Sequence, residues 1–116
     1  MSTSLLTGEE LFGLFELNEA GTVLYSRREP DGGPGGAGPD MSGRNFYDEV
    51  APFENVAEFR RRVNEFTRGP SPADSFKFDC RYTGCVRQVK VLIARIRERA
   101  HNDRTKSVLV HIRKVA

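Results

Sequence analysis

The chain predicts an α+β domain, with a five-stranded antiparallel sheet and helices packed on one face. Three observations lead there. Two β-rich runs open the sequence, a helical middle follows and three β-rich runs close it, without the strand-helix alternation of a doubly wound parallel sheet. Residues 76–83, FKFDCRYT, alternate apolar and polar throughout, the period of a strand with one buried face. At 116 residues and 38% hydrophobic residues, the chain has the length and the material for a single core.

Taken in order, Leu11, Phe12, Leu14 and Phe15 crowd behind Glu9 and Glu10, which predicts a short helix running into a strand, with residues 1–12 as an N-terminal cap segment. Leu14 to Leu17 and Thr22 to Tyr25 flank Asn18-Glu19-Ala20-Gly21, a turn whose Asn and Gly tolerate positive φ, so the pair reads as a hairpin. Residues 30–43, PDGGPGGAGPDMSG, are too rich in Gly and Pro for a regular element and read as a flexible loop. That loop lies within the domain, because one hairpin with one apolar face is not stable alone. Residues 43–52, GRNFYDEVAP, predict a helical turn or two ended by Pro52.

A longer helix follows. Asn55 is its predicted N-cap, and Val56, Phe59, Val63 and Phe66 recur at helical spacing on one face. Glu58 with Arg62, and Arg61 with Glu65, stand at i,i+4, and Gly69-Pro70 ends the helix. Beyond it, Phe76, Phe78, Cys80 and Tyr82 share one strand face. Val86 to Arg97 is apolar on both faces, which predicts a central strand covered on both sides. Ser107 to Val115 predicts the last strand, with Val108, Val110 and Ile112 on one side and Leu109, His111 and Arg113 on the other.

Composition excludes several classes. No run reaches the ~18 apolar residues that cross a bilayer, and the first residues lack the basic stretch of a signal peptide, so a cytoplasmic protein is expected. The net charge of +2 hides a division: residues 1–58 hold 11 acidic and 3 basic side chains, residues 59–116 hold 5 acidic and 15 basic. Such polarity suits a nucleic-acid surface, or attraction between halves of one domain or between two copies.

Several stretches resemble a PAS domain of the photoactive yellow protein family. FELNEAGTVLY resembles its opening hairpin, GRNFYDEVAP its glycine-asparagine-phenylalanine word leading into Ala-Pro, and AEFRRRVNEFTRG its central helix; FKFDCRY, VKVLIAR and SVLVHIRKV follow its last three strands. The resemblance runs from about Phe12 to Val115 and implies a PAS-like form of the α+β fold. In photoactive members the residue after that Ala-Pro is the cysteine that carries a coumaroyl chromophore as a thioester. Here it is Phe53, which has no nucleophile, so no covalent coumaroyl chromophore is expected. The Tyr and Glu that hold the chromophore phenolate in the family are approached by Tyr25 and Glu29, each one position away in a gap-free match. By the same resemblance, Tyr25, Glu29, Phe46, Phe53, Phe66 and Phe78 are the candidate lining of a ligand pocket, and His111 lies on the side of the sheet away from that pocket.

Little else carries chemistry. Cys80-x4-Cys85 lacks a third and fourth ligand nearby, so no metal site is predicted, and Cys80 reads as a small core residue. Neither His101 nor His111 stands in a motif with a Ser or Cys nucleophile, so the chain is not read as an enzyme, and the Gly-rich loop matches no phosphate-binding pattern. The basic strands offer Arg95, Arg97 and Arg99 to a phosphate backbone, yet residues 83–116 contain no aromatic residue for base stacking.

The leading expectation is therefore a non-photoactive, PAS-type signalling module of bacterial type that works by protein-protein interaction, as a homodimer or with a separate signalling protein. Leu5, Leu6, Leu11, Phe12 and His111 are its expected interface. The alternatives are a sensor of haem, flavin or a metabolite, with the non-covalent ligand unknown, and nucleic-acid binding through the C-terminal strands.

Overall fold

The computed structural model describes residues 11–28, 41–98 and 104–115. In them the chain forms β1 (Gly13–Leu17), β2 (Val23–Arg28), one π-helical turn (Phe46–Val50), α1 (Val56–Arg68), β3 (Ala73–Tyr82), β4 (Cys85–Glu98) and β5 (Arg104–Lys114). The five strands make one antiparallel sheet in the order β2-β1-β5-β4-β3. The middle place belongs to β5, and the strand expected at the centre, β4, lies between β5 and the edge strand β3. Leu5, Leu6, Glu29, Arg99, His101 and residues 30–40 of the Gly-rich stretch lie outside the described residues.

The opening hairpin is closed by Asn18, whose side-chain oxygen accepts from the backbone N–H groups of Ala20 (3.0 Å) and Thr22 (2.9 Å). Gly21 occupies the left-handed region at φ 87°, and a Cβ there would stand 2.7 Å from the Tyr47 ring. A bulge between Glu16 and Leu17 sets Leu17 opposite Val23 and Glu16 opposite Tyr25. Leu11 and Phe12, expected to enter as a helix, have no regular secondary structure.

The helical middle begins with the expected helical turn, which is of the π type. Asn45 holds it: its side-chain oxygen accepts from Tyr47 N and Asp48 N, and its amide donates to Ala20 O at 3.1 Å, tying the turn to the hairpin. Then α1 buries Phe59, Val63 and Phe66 on the face that the spacing predicts. Arg61 and Glu65 pair at 2.7 Å on the exposed side, an arrangement that contributes a few tenths of a kcal/mol. Arg62 does something other than pair with Glu58: its guanidinium lies 4.1 Å over the Phe76 ring.

Asn55 and Gly69 bound α1 as the sequence predicts, but the side-chain bonds at its two ends are not the usual caps. Asn55 precedes the helix, yet its side chain makes no cap bond. It donates to Asp79 O (2.8 Å) and accepts from Arg81 N (3.0 Å), while Glu54 N donates to Arg81 O (2.7 Å). The residues before α1 thus serve as a substitute neighbour for the free edge of β3. At the other end Gly69 is not left-handed (φ −83°), and Arg95 of β4 donates to the carbonyls of Phe66 (2.8 Å), Thr67 (3.1 Å), Gly69 and Ser71. Those bonds satisfy the carbonyls that a helix end leaves without partners.

Along β3 the alternation holds, with Phe78 and Cys80 buried, Phe76 and Tyr82 half-buried, and Lys77, Asp79 and Arg81 exposed. Val89, Val91 and Ile93 of β4 and Val108, Val110 and Ile112 of β5 are buried on the same side, and all join one apolar cluster with the helical residues. On the opposite side Leu92, Ala94, Ile96, Leu109 and His111 are half-buried rather than fully covered.

Candidate functional site

The cluster between sheet and helices is built largely from phenylalanine. Phe59, projecting inward from α1, is its hub: its ring centroid lies 5.8 Å from Phe46, 5.7 Å from Phe53 and 5.2 Å from Phe78. Phe46 meets Phe15 of β1 at 5.2 Å, and Phe53 meets Phe78 at 5.9 Å and Tyr82 at 6.4 Å. Several of these pairs are edge-to-face, which adds about 0.5–1.5 kcal/mol each beyond burial. Phe53, at 3% exposure, fills the place where the resemblance puts a chromophore cysteine. A phenyl ring in contact with three others leaves the position no chemistry except packing.

Of the six residues expected to line a pocket, Phe46, Phe53, Phe66 and Phe78 are buried, and three of these are joined through Phe59. Phe59 was absent from that set although it shares the α1 face with Phe66. Phe66 lies toward the end of α1, with the Arg95 guanidinium 5.2 Å from its ring centroid. Tyr25 is displaced: it is 47% exposed and stands opposite Glu16 on the outer side of the sheet, because the bulge between Glu16 and Leu17 reverses the phase of β2. It does not join the phenylalanine cluster. Glu29 lies outside the described residues.

Tyr47 is the titratable side chain of this region that burial perturbs. Desolvation pushes its phenol up to about 12, against the lowering influence of Arg60, whose guanidinium lies 5.1 Å from the ring centroid. Burial thus keeps this phenol neutral well above neutral pH.

Two clefts border the gap between α1 and the free edge of β3. The larger, about 360 Å³, is lined by Asn55, Glu58, Arg62, Lys77, Phe78, Asp79, Arg81 and Val86. The smaller, about 270 Å³, shares Arg62 and runs past Glu65, Phe66, Asp74 and Phe76. Both mix charges of each sign and hold no histidine or cysteine. Among the described residues no three His, Cys, Asp or Glu side chains gather as a metal site; Cys80 is a buried free thiol and Cys85 an exposed one.

The outer side of the sheet is the remaining candidate. Leu14, His111 and Leu92 stand side by side across β1, β5 and β4, and Glu16, Leu109 and Ala94 form the next row. Glu16 accepts a 2.7 Å bond from the Ser107 hydroxyl, and Ser107 is 2% exposed. His111 is therefore on the face turned away from α1, as the resemblance implies. Leu11 (1% exposed) and Phe12 (5%), two of the expected interface residues, are buried within this chain and belong to its core cluster. Arg95, a candidate phosphate ligand, is committed to the end of α1, and Arg99 and the side chain of Arg97 lie outside the described residues.

No helix among the described residues is long and apolar enough to cross a membrane. No protein-family model matches the chain, and no curated protein matches its sequence.

Proposed function

We propose that the chain is a non-photoactive PAS-type signalling module that acts in the cytoplasm through protein-protein association, with a second copy of itself as the first partner. The observation that carries this is the outer side of the sheet, where Leu14, Leu92, Ala94, Ile96 and Leu109 make a half-buried aliphatic surface over three adjacent strands. Apolar area of this kind gains about 25 cal/mol for each Å² removed from water, which is the usual drive for association. Two further features support the reading. The first strand pairs with the last, as the resemblance to PAS domains implies, and Phe53 replaces the chromophore cysteine with a ring that packs against Phe59, Phe78 and Tyr82. An output carried by association needs no cofactor in that space.

The test is the molar mass in solution. Light scattering after size-exclusion chromatography is expected to give a dimer that Leu109→Glu converts to a monomer, with circular dichroism showing that the variant keeps its fold. His111→Glu, on the neighbouring row, serves as a second variant. A strict monomer at the highest attainable concentration overturns the homodimer. An absorption spectrum with native mass measurement removes haem, flavin and a covalent chromophore together if the protein is colourless at its polypeptide mass, and supports the sensor alternative if a haem or flavin band appears.

A further inference from the structure

We propose that the outer side of the sheet is shaped for a partner segment that is acidic and amphipathic, an inference that rests on reading the chain as an association module. Lys77 of β3 stands directly opposite Lys90 of β4, and Lys90 directly opposite Arg113 of β5. Three cations thus form one line across three strands, on the side turned away from α1, and all three are exposed. With neighbouring strands about 4.8 Å apart, the line is about 10 Å long.

Like charges directly opposite one another destabilise a sheet. Among the described residues no carboxylate lies within ion-pair distance of these three. The acidic side chains of the same face are engaged elsewhere: Asp79 accepts from Gln88 Nε2 at 3.2 Å, and Glu16 accepts from Ser107. The fold therefore holds an uncompensated cationic line that its own packing does not require. Carboxylates supplied by a partner turn that mutual repulsion into attraction.

The adjoining row decides which anion fits. Next to the cationic line run Ser75, Leu92, His111 and Leu14, and beyond them Ala94 and Leu109. A phosphodiester backbone has nothing to offer aliphatic side chains, and residues 83–116 hold no Phe, Tyr or Trp for a base to stack on. A polypeptide segment with carboxylates along one side and leucine-like side chains along the other meets both rows together. The occupant is accordingly a protein segment and not a nucleic acid.

The probes are a fluorescein-labelled amphipathic peptide of Leu and Glu, its counterpart of Leu and Lys, and a single-stranded oligodeoxynucleotide. Each is titrated by anisotropy against protein diluted to the monomer. The Leu-Glu peptide is expected to bind with an affinity that falls as salt is raised, and the Leu-Lys peptide not to bind. Lys90→Glu, an exposed substitution, should weaken the Leu-Glu peptide about tenfold by removing one attraction and adding one repulsion, and Leu92→Ser should weaken it as well. Unchanged affinity in Lys90→Glu overturns the proposal, as does an oligonucleotide that binds as tightly as the peptide and is indifferent to Leu92→Ser. A chain that dimerises but ignores the Leu-Glu peptide overturns the acidic partner alone. One that does neither overturns the association reading too.

Discussion

Replacing Asn55 by alanine removes the link between the start of α1 and the edge of the sheet, and the structure fixes the size of the effect. Two short hydrogen bonds to β3 are lost, from Asn55 to Asp79 O at 2.8 Å and from Arg81 N to Asn55 at 3.0 Å, together with a longer one from Asn55 to the Glu58 carboxylate at 3.4 Å, at a residue only 8% exposed. Each contributes about 1 kcal/mol net, and the carbonyl and N–H left behind raise the cost where water reaches them poorly, so the expected loss is about 2–4 kcal/mol. For a urea m-value of about 1.8 kcal/mol/M, the midpoint falls by about 1–2 M, read by circular dichroism with m unchanged. Asn55→Asp separates this account from ordinary capping. Asn and Asp are near-equal N-caps, so a capping residue tolerates the exchange. Here the aspartate keeps an acceptor for Arg81 N but sets a negative oxygen against the Asp79 carbonyl, and a loss comparable to that of alanine is expected. An aspartate variant as stable as the parent, beside an alanine variant within about 0.5 kcal/mol of it, refutes the reasoning.

Phe53→Ala opens a cavity among Phe59, Phe78 and Tyr82 and should cost about 3–5 kcal/mol in the same urea assay, whereas Phe53→Leu, which keeps most of the volume, should cost less than half of that. The Tyr47 phenol, raised to about 12, binds its proton more tightly in the folded chain than in the unfolded one. Its contribution is complete below pH 10 and is lost as pH rises from about 10 to 12, by about 3 kcal/mol in all. The difference in stability between the parent and Tyr47→Phe, followed by urea unfolding across that range, should show this decline, and a difference independent of pH counts against it.

The strands were legible because their information is local. Phe76, Phe78, Cys80 and Tyr82 alternate with Lys77, Asp79 and Arg81, and nothing outside the strand is needed to see which side is buried. The apolar face of α1 was legible for the same reason. Asn55 was not, because an asparagine before a helix looks alike whether it caps that helix or bridges to a strand more than twenty residues later. Arg95 lay in a run of basic residues that reads as a charged surface, and only the approach of β4 to the end of α1 reveals its carbonyl partners. Tyr25 misled through a single inserted residue: a bulge is invisible in the alternation of so short a strand, yet it decides which side the ring faces. The cationic line is not legible in the sequence, because Lys77, Lys90 and Arg113 are far apart in it and meet only through the register of three strands.

The sheet order has a consequence for biosynthesis. β2 follows β1, and β4 and β5 follow β3 through short connections, but β1 and β5 meet across a separation that puts Leu14 beside His111. At a translation rate of about 5–20 residues per second, the opening hairpin leaves the ribosome about 5–20 s before its second neighbour exists. Through that interval Phe15 and Leu17 have no β5 to cover them, and one side of β1 is an unpaired edge. Completion of the sheet therefore waits for the synthesis of β5, and until then the free side of β1 is an edge to which another strand can pair.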